Sequence, residues 1–468
     1  MADKESNAAN EYEREPVPEK AWLGLKSYVG QFAGEHVAGT ELMIGPLFLA
    51  AGVSAFDFIV GLLVGNLLAV LSWTFFTAPI ATRVRLTLYC HLEKICGRRL
   101  VVLYNTVNGV MFTVLAGAMM TVSATVIGVF LPIAMPQLGD TLPPGIGWIV
   151  AVLATGLLFS AVAAKGYRFV ATFANYAAPW MVIVFALFGI ISLRKMGVTG
   201  FGNFWEIAST QVWTGGAPQP GQVKFTFWHV MFFAWFCNMA WHIGMADLSL
   251  FRFARKSWYG VASAAGMYIG HFMAWIAAST LYAVQLKADP TNTAVLPGPL
   301  AYNACGIAGL LCVVAAGWTT ANPTLYRAGL AFQSLIPNSS RVKVTLVTGL
   351  VASVTAIFPI VTMKLLGFVA LWGMILMPMG AVIFADFWLL PKLGLRRDFA
   401  EVAGLPINWA AAVAWLASVA FCVGLLALLG SDKIYFVSLP GWFVTVAIYI
   451  ALSMRSQRSK HRSRRTFP

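Results

Sequence analysis

The distribution of charge along this chain constrains its fold more than any other feature. Nine stretches carry no charged residue: 58–82, 100–139, 141–164, 169–193, 290–326, 344–363, 365–385, 402–431 and 434–454. Each reaches the roughly 20 residues an apolar helix needs to cross a bilayer. Three more stretches carry only a few ionisable groups: 27–56 (Glu35, His36, Glu41), 225–246 (His229, His242) and 257–286 (His271). The pattern predicts an all-α polytopic membrane protein with 12 transmembrane helices. An outer-membrane barrel fits poorly, because its tilted strands need only ~10 residues each.

Charge sign gives the orientation. Twelve crossings return both termini to one side. If that side is the cytoplasm, the outer cations are Arg194, Lys195, Lys224, Lys287, Lys364 and Lys433 alone, out of 32 Lys and Arg. The positive-inside rule favours this arrangement, in the cell (inner) membrane, with both termini cytoplasmic. It also accounts for most of the +14 net charge without a nucleic-acid partner. The basic tail 455–468 reads as an anchor to anionic lipid. Residues 1–26 form a polar tail with six acids before position 20, unlike a cleavable signal. The six cysteines show no metal-ligand spacing and read as thiols. Loops are short, so any chemistry belongs among the helices.

Two segments look broken. The first reads Gly34-Glu35-His36-Val37-Ala38-Gly39-Thr40-Glu41, then Gly45-Pro46. The sixth reads Asn238-Met239-Ala240-Trp241-His242-Ile243-Gly244, ending at Ala246-Asp247. Irregular backbone at membrane depth is tolerated where it lines a cavity. A carboxylate at the bilayer centre costs roughly 2.5–3.5 kcal/mol on insertion scales, so it needs a partner or a task. The broken segments open two five-helix halves, 27–193 and 225–390, separated by an outer loop, 194–224. Corresponding interrupted helices in two halves are the best sequence pointer to a transport site at the midplane.

Several motifs carry a family resemblance. Segment 8 reads Ala316-Gly317-Trp318-Thr319-Thr320-Ala321-Asn322-Pro323-Thr324-Leu325-Tyr326-Arg327-Ala328-Gly329-Leu330. Segment 2 has Asp57-Phe58-Ile59 and Gly65-Asn66-Leu67-Leu68. Segment 6 ends in Ala246-Asp247 with Arg252-Phe253-Ala254-Arg255, and segment 10 in Pro378-Met379-Gly380 with Ala385-Asp386-Phe387. In this order the motifs resemble the nucleobase:cation symporters, a family of cytosine, purine, allantoin and hydantoin permeases. The resemblance implies a LeuT-type fold, two inverted five-helix repeats, with helices 11 and 12 (391–454) peripheral. It implies a Na⁺ site of main-chain carbonyls at Glu35 and Ala38 and, in segment 8, the Ala316 carbonyl with the Thr319 and Thr320 hydroxyls. By spacing, Thr319 and Thr320 do lie near Ala316, at i+3 and i+4. Thr in apolar helices also bonds back to the i−4 carbonyl, which is the structural alternative. The family's substrate-site Trp and Gln in segment 3 are missing here; Phe112 is nearest to the aligned place.

The candidate substrate residues are Gly39, Glu41, Phe112, Trp235, Asn238, Trp241 and Asn322. A carboxylate accepts two N–H bonds side by side, which suits the edge of a nitrogen heterocycle. Aromatic faces suit a planar ring, although with 17 Trp lipid anchoring competes. Glu35, Glu41 and His242 are candidates to couple a proton; pairing with a histidine is the structural alternative for the carboxylates. His271 and His229 read as packing residues, and Asp247 and Asp386 as ends of helices paired with Arg252 or Arg397. The sequence thus predicts a symporter importing a small nucleobase-like heterocycle with Na⁺. A proton-coupled transporter of another metabolite, possibly cationic, is the alternative. A membrane-embedded enzyme is a remote rival, because the histidines are scattered. No organic cofactor and no obligate protein partner is implied.

Overall fold

The structure is a computed structural model that describes residues 12, 15–164, 167–236, 244–333, 335–336 and 339–463. Helices α1 (Leu25–Glu35) and α2 (Glu41–Ala50) form the first segment and are separated by residues 36–40. The break lies where the sequence places Gly39 and two polar side chains between apolar runs. The second segment is α3 (Ala55–Ser72), continued by a π-helical turn (Trp73–Thr77) and a further helix to Val84. A short helix, α4 (Leu88–Cys96), then leads into the third segment, α5 (Arg98–Ala124). Helices α6 (Ile146–Ala164) and α7 (Tyr167–Met196) complete the first half.

The second half begins with α8 (Phe227–Phe236), which is followed by residues outside the description. The chain is described again from Gly244, just before Met245, whose φ is +66°. A π segment (Ala265–Phe272) runs into α9 (Met273–Ala288). Then come α10 (Pro297–Gln333), α11 (Arg341–Ala356) and α12 (Leu365–Phe384). Gly306, with φ +57°, puts a kink in α10 that a side chain would strain. Two last helices, α13 (Trp409–Leu429) and α14 (Ile434–Ser463), pack on each other. Among the described residues nine helices are continuous and apolar enough to cross a membrane. The remaining three of the twelve expected segments are the broken first, the sixth and the 16-residue α11.

The packing reveals the repeat that direct comparison of the two half-sequences does not. Besides α7 with α9, the main contacts between the halves are α2 with α9, α3 with α8, α5 with α10, and α6 with α11. In segment numbers these are 1 with 7, 2 with 6, 3 with 8, and 4 with 9. Exchanging the halves carries the first pair onto the second and leaves the other two pairs unchanged. Small residues make these approaches close. A Cβ on Gly45 would stand 2.5 Å from the Trp275 carbonyl oxygen, and one on Gly65 2.5 Å from that of Met231. The principal apolar cluster spans both halves, and in it Phe32, Phe48, Trp73 and Trp275 are fully buried.

Both faces are strapped. At one end Leu23 pairs with Phe253 and Arg255 through main-chain hydrogen bonds, and Trp22 lies 4.0 Å beneath the Arg85 guanidinium. At the other, the Lys224 ammonium donates to the carbonyls of Gly52, Gly215 and Gly216. It thereby ties the long loop to the end of α2.

Candidate functional site

A cavity of about 110 Å³ lies at the break in the first segment. Its wall is assembled from the 36–40 turn, the ends of α1 and α2, and parts of α5, α10 and α12. The cause is local: α1 ends at His36, whose amide still bonds Phe32, and a new helix starts at Glu41. A helix end leaves carbonyls without intrahelical partners, and a helix start leaves amides. The site is therefore flanked by backbone dipoles as well as side chains.

Three carboxylates reach the wall, each with a different partner. Glu35 Oε1 is 2.8 Å from Arg327 Nη2. Asp247 Oδ2 accepts a 2.8 Å hydrogen bond from Trp73 Nε1. Glu41 is buried, accepts from the Trp275 indole and from the Thr40 hydroxyl, and has His271 Nε2 at 3.6 Å. On the α10 side, Thr320 Oγ1 donates to the Ala316 carbonyl at 2.6 Å and Thr319 Oγ1 to the same oxygen at 3.2 Å. The threonines bond back to their own helix, and in doing so gather three hard oxygens at one point.

The structure brings Glu35, Ala38, Glu41, Thr319 and Thr320 to this one wall. Gly39 lies behind it, where a Cβ would stand 2.8 Å from the Gly317 Cα. That contact seats the break directly on the segment 8 motif. Phe112 is also outside the wall; its ring meets Trp372 edge-on at 4.9 Å, and Trp372 lines the cavity. Trp235 stands away from the cavity and donates to Ser72 Oγ at 3.0 Å. Asn322 is fully buried; its amide N–H donates to the Phe159 carbonyl, an interhelical role, and its oxygen accepts from the Trp318 indole of its own helix. Asn238, Trp241 and His242 lie outside the described residues.

Four wall residues were read differently from the sequence. The charge-free run ends at Tyr326, which puts Arg327 in a loop by sequence, but α10 continues to Gln333, and pairing with Glu35 makes a charge tolerable there. Asp247 was expected to pair with Arg252, yet its oxygen turns inward to Trp73. His271 was read as packing, and it faces Glu41. His36 was only a possible partner for the carboxylates, and it lies in the wall itself. The legible signal was complementary: a buried acid in one half and an unexplained base in the other.

Among the described residues no group of three or more His, Cys, Asp or Glu is placed to hold a metal ion. The oxygen cluster is of a different kind, and hard neutral oxygens at a broken helix suit a small monovalent cation.

Solved structures share this architecture. Mhp1, a nucleobase-cation-symport-1 family transporter, in a closed conformation with bromovinylhydantoin bound, superposes with a TM-score of 0.70 at 13% identity, covering 96% of each chain. The fold is that of the LeuT-type transporters. The inward-facing conformation of Mhp1 also gives 0.70, at 12% identity over 94% of this chain and 93% of that one. A Na⁺-coupled sialic acid symporter in a substrate-bound outward-open state gives 0.56, at 16% identity over 92% of this chain and 96% of that one. No family model and no curated protein matches the sequence itself. The LeuT-type fold explains the packing exchange described above, since two inverted repeats must place segments 1 and 6 equivalently.

Proposed function

We propose that this protein is a secondary active transporter that imports a small nitrogenous solute with a cation by alternating access. The observation that carries the reading is the seating of the 36–40 break against Ala316 and Gly317, with Thr319 and Thr320 lining the same cavity, within a LeuT-type fold. Na⁺ is the proposed coupling ion, held by the carbonyls of Glu35, Ala38 and Ala316 and by the two threonine hydroxyls. Rotation of those hydroxyl hydrogens would free the Ala316 carbonyl lone pairs for the ion. Coupling then follows if the ion binds the substrate-competent state more tightly than the other.

The substrate we infer is a nucleobase-like heterocycle whose N–H edge meets Glu41 and whose ring lies near Trp372. Phe112 supports Trp372 from behind. The protein would sit in the cell membrane with both termini cytoplasmic and would release its solute chemically unchanged. The two five-helix halves at 27–193 and 225–390, with the eleventh and twelfth segments, α13 and α14, outside them, are the proposed organisation.

The test is thermal stability of the purified chain against a panel of heterocycles in NaCl and in choline chloride. A ligand that stabilises more in Na⁺ is expected. Thr320→Ala should raise the Na⁺ concentration needed for half of that gain at least tenfold, about 1.4 kcal/mol. Equal stabilisation in both salts would remove Na⁺ from the reading, and silence across the panel would remove the substrate class.

A further inference from the structure

A row of titratable side chains crosses the broken first segment, apart from the oxygen cluster on α10. Glu41 Oε1 lies 3.6 Å from His271 Nε2, and both side chains are buried. The His271 ring lies flat on Trp275, with centroids 4.4 Å apart and planes 12° apart. Its other neighbour is the His36 ring, 4.7 Å away between centroids. His36 Nδ1 is in turn 2.9 Å from the Phe32 carbonyl. All three ionisable groups line the cavity.

The chain makes room for this row. Gly266 and Gly270 stand against His36; a Cβ on Gly266 would be 2.7 Å from its Nδ1. Both glycines and His271 belong to the π segment 265–272, in which an extra residue per turn re-aims side chains. A plain packing histidine needs neither the carboxylate nor the second ring.

We propose that His271, with the Glu41 carboxylate beside it, binds one exchangeable proton next to the break of the first segment. The proton is taken from solvent in the cavity and sits on His271 Nε2, favoured by the charge of Glu41 Oε1 3.6 Å away. It returns to solvent by the same route. Binding at this site stands on the geometry alone; a role in driving transport rests on the function proposed above. The other charged groups of the wall are Glu35, Asp247 and Arg327. Around the row, Asp57, Tyr268, Tyr282, Lys287 and Lys364 lie on the packed elements but outside the wall. Of these, Tyr268, Tyr282, Lys287 and Lys364 point their polar ends at carbonyls elsewhere.

The experiment needs no substrate. An imidazolium stacked on an indole quenches its fluorescence, so emission of the full chain in lipid nanodiscs is followed from pH 5 to 9. The expected result is one sigmoidal step that disappears in His271→Gln. In Glu41→Gln the midpoint should move by more than about one pH unit, the usual effect of a carboxylate within ~4–6 Å. A flat wild-type profile, a step that survives His271→Gln, or a midpoint that Glu41→Gln leaves in place would overturn the proposal. Should either variant fail to fold, imidazole ¹⁵N shifts of the wild type decide the matter: no histidine outside the tail changing charge between pH 5 and 9 is the negative result. A positive titration in a protein that ignores Na⁺ and every solute would sink the transport reading and leave the proton site intact.

Discussion

The Glu35–Arg327 pair ties the last turn of α1 to α10 across the two halves, with both side chains about 30% exposed. Removing one partner leaves the other charge half-buried, whereas removing both leaves none. Arg327→Gln is therefore expected to cost about 2 kcal/mol and to lower the melting temperature in detergent. The double variant with Glu35→Gln should recover most of that loss; a purely additive pair would contradict direct coupling. Glu35 itself was visible in the sequence, because an acid within an apolar run is an anomaly. Its partner was not, because Arg327 stands at the end of a charge-free run and looks like the start of a loop. The phase of a helix decides which side chain faces a cavity, and a single sequence does not report phase. For that reason Phe112 and Asn322 were legible as candidates, while their facing toward Trp372 and Phe159 was not.

At the scale of helices, close packing depends on residues that lack a side chain. Gly45 abuts the backbone of α9, and a backbone oxygen cannot rotate out of the way. Gly45→Ala should cost about 1–3 kcal/mol through overpacking. Gly367, on α12, faces open space, so Gly367→Ala is the matched control and should move stability by no more than about 0.5 kcal/mol. Melting curves of the two variants side by side are the measurement. Twelve segments and the first break were legible because both are written in charge and polarity. The pairing of segments 1 with 7 and 2 with 6 was not, because it depends on which small residues meet, and glycines are scattered through every segment.

The whole molecule carries a titration away from the membrane-spanning segments. His91, on α4, is 1% exposed, with Nδ1 3.7 Å from Asp398 Oδ1, too far for a hydrogen bond. Burial, aided by the positive charges of Arg397 and Lys94, pushes its imidazole down to about 3 from the usual value near 6.5. Below 6.5 the unfolded chain takes up a proton that the folded one refuses. Stability is thus fully present above that pH and is lost as pH falls toward 3, by at most about 1.4 kcal/mol per pH unit. Replacing His91 by Gln should flatten the fall in melting temperature between pH 6.5 and 4; an unchanged slope would assign the acid lability elsewhere.

The π segment at 265–272 has a consequence for insertions and deletions. It holds a surplus residue, so the helix can lose one position without losing length or its grip on the membrane. Removing Ile269 would let the backbone relax to ordinary α-helical winding. Residues beyond the segment on either side would keep their facing, because the wide turn had absorbed the extra residue, while those within it would be re-aimed by up to about 100°, the angle between successive helical residues. Helical content by circular dichroism should hold, and His271 and Trp275, both past the cut at i and i+4, should keep their contact and their fluorescence step, while Gly266 leaves its place against His36. The same amino acids would remain at the same depth in the bilayer, facing a different neighbour.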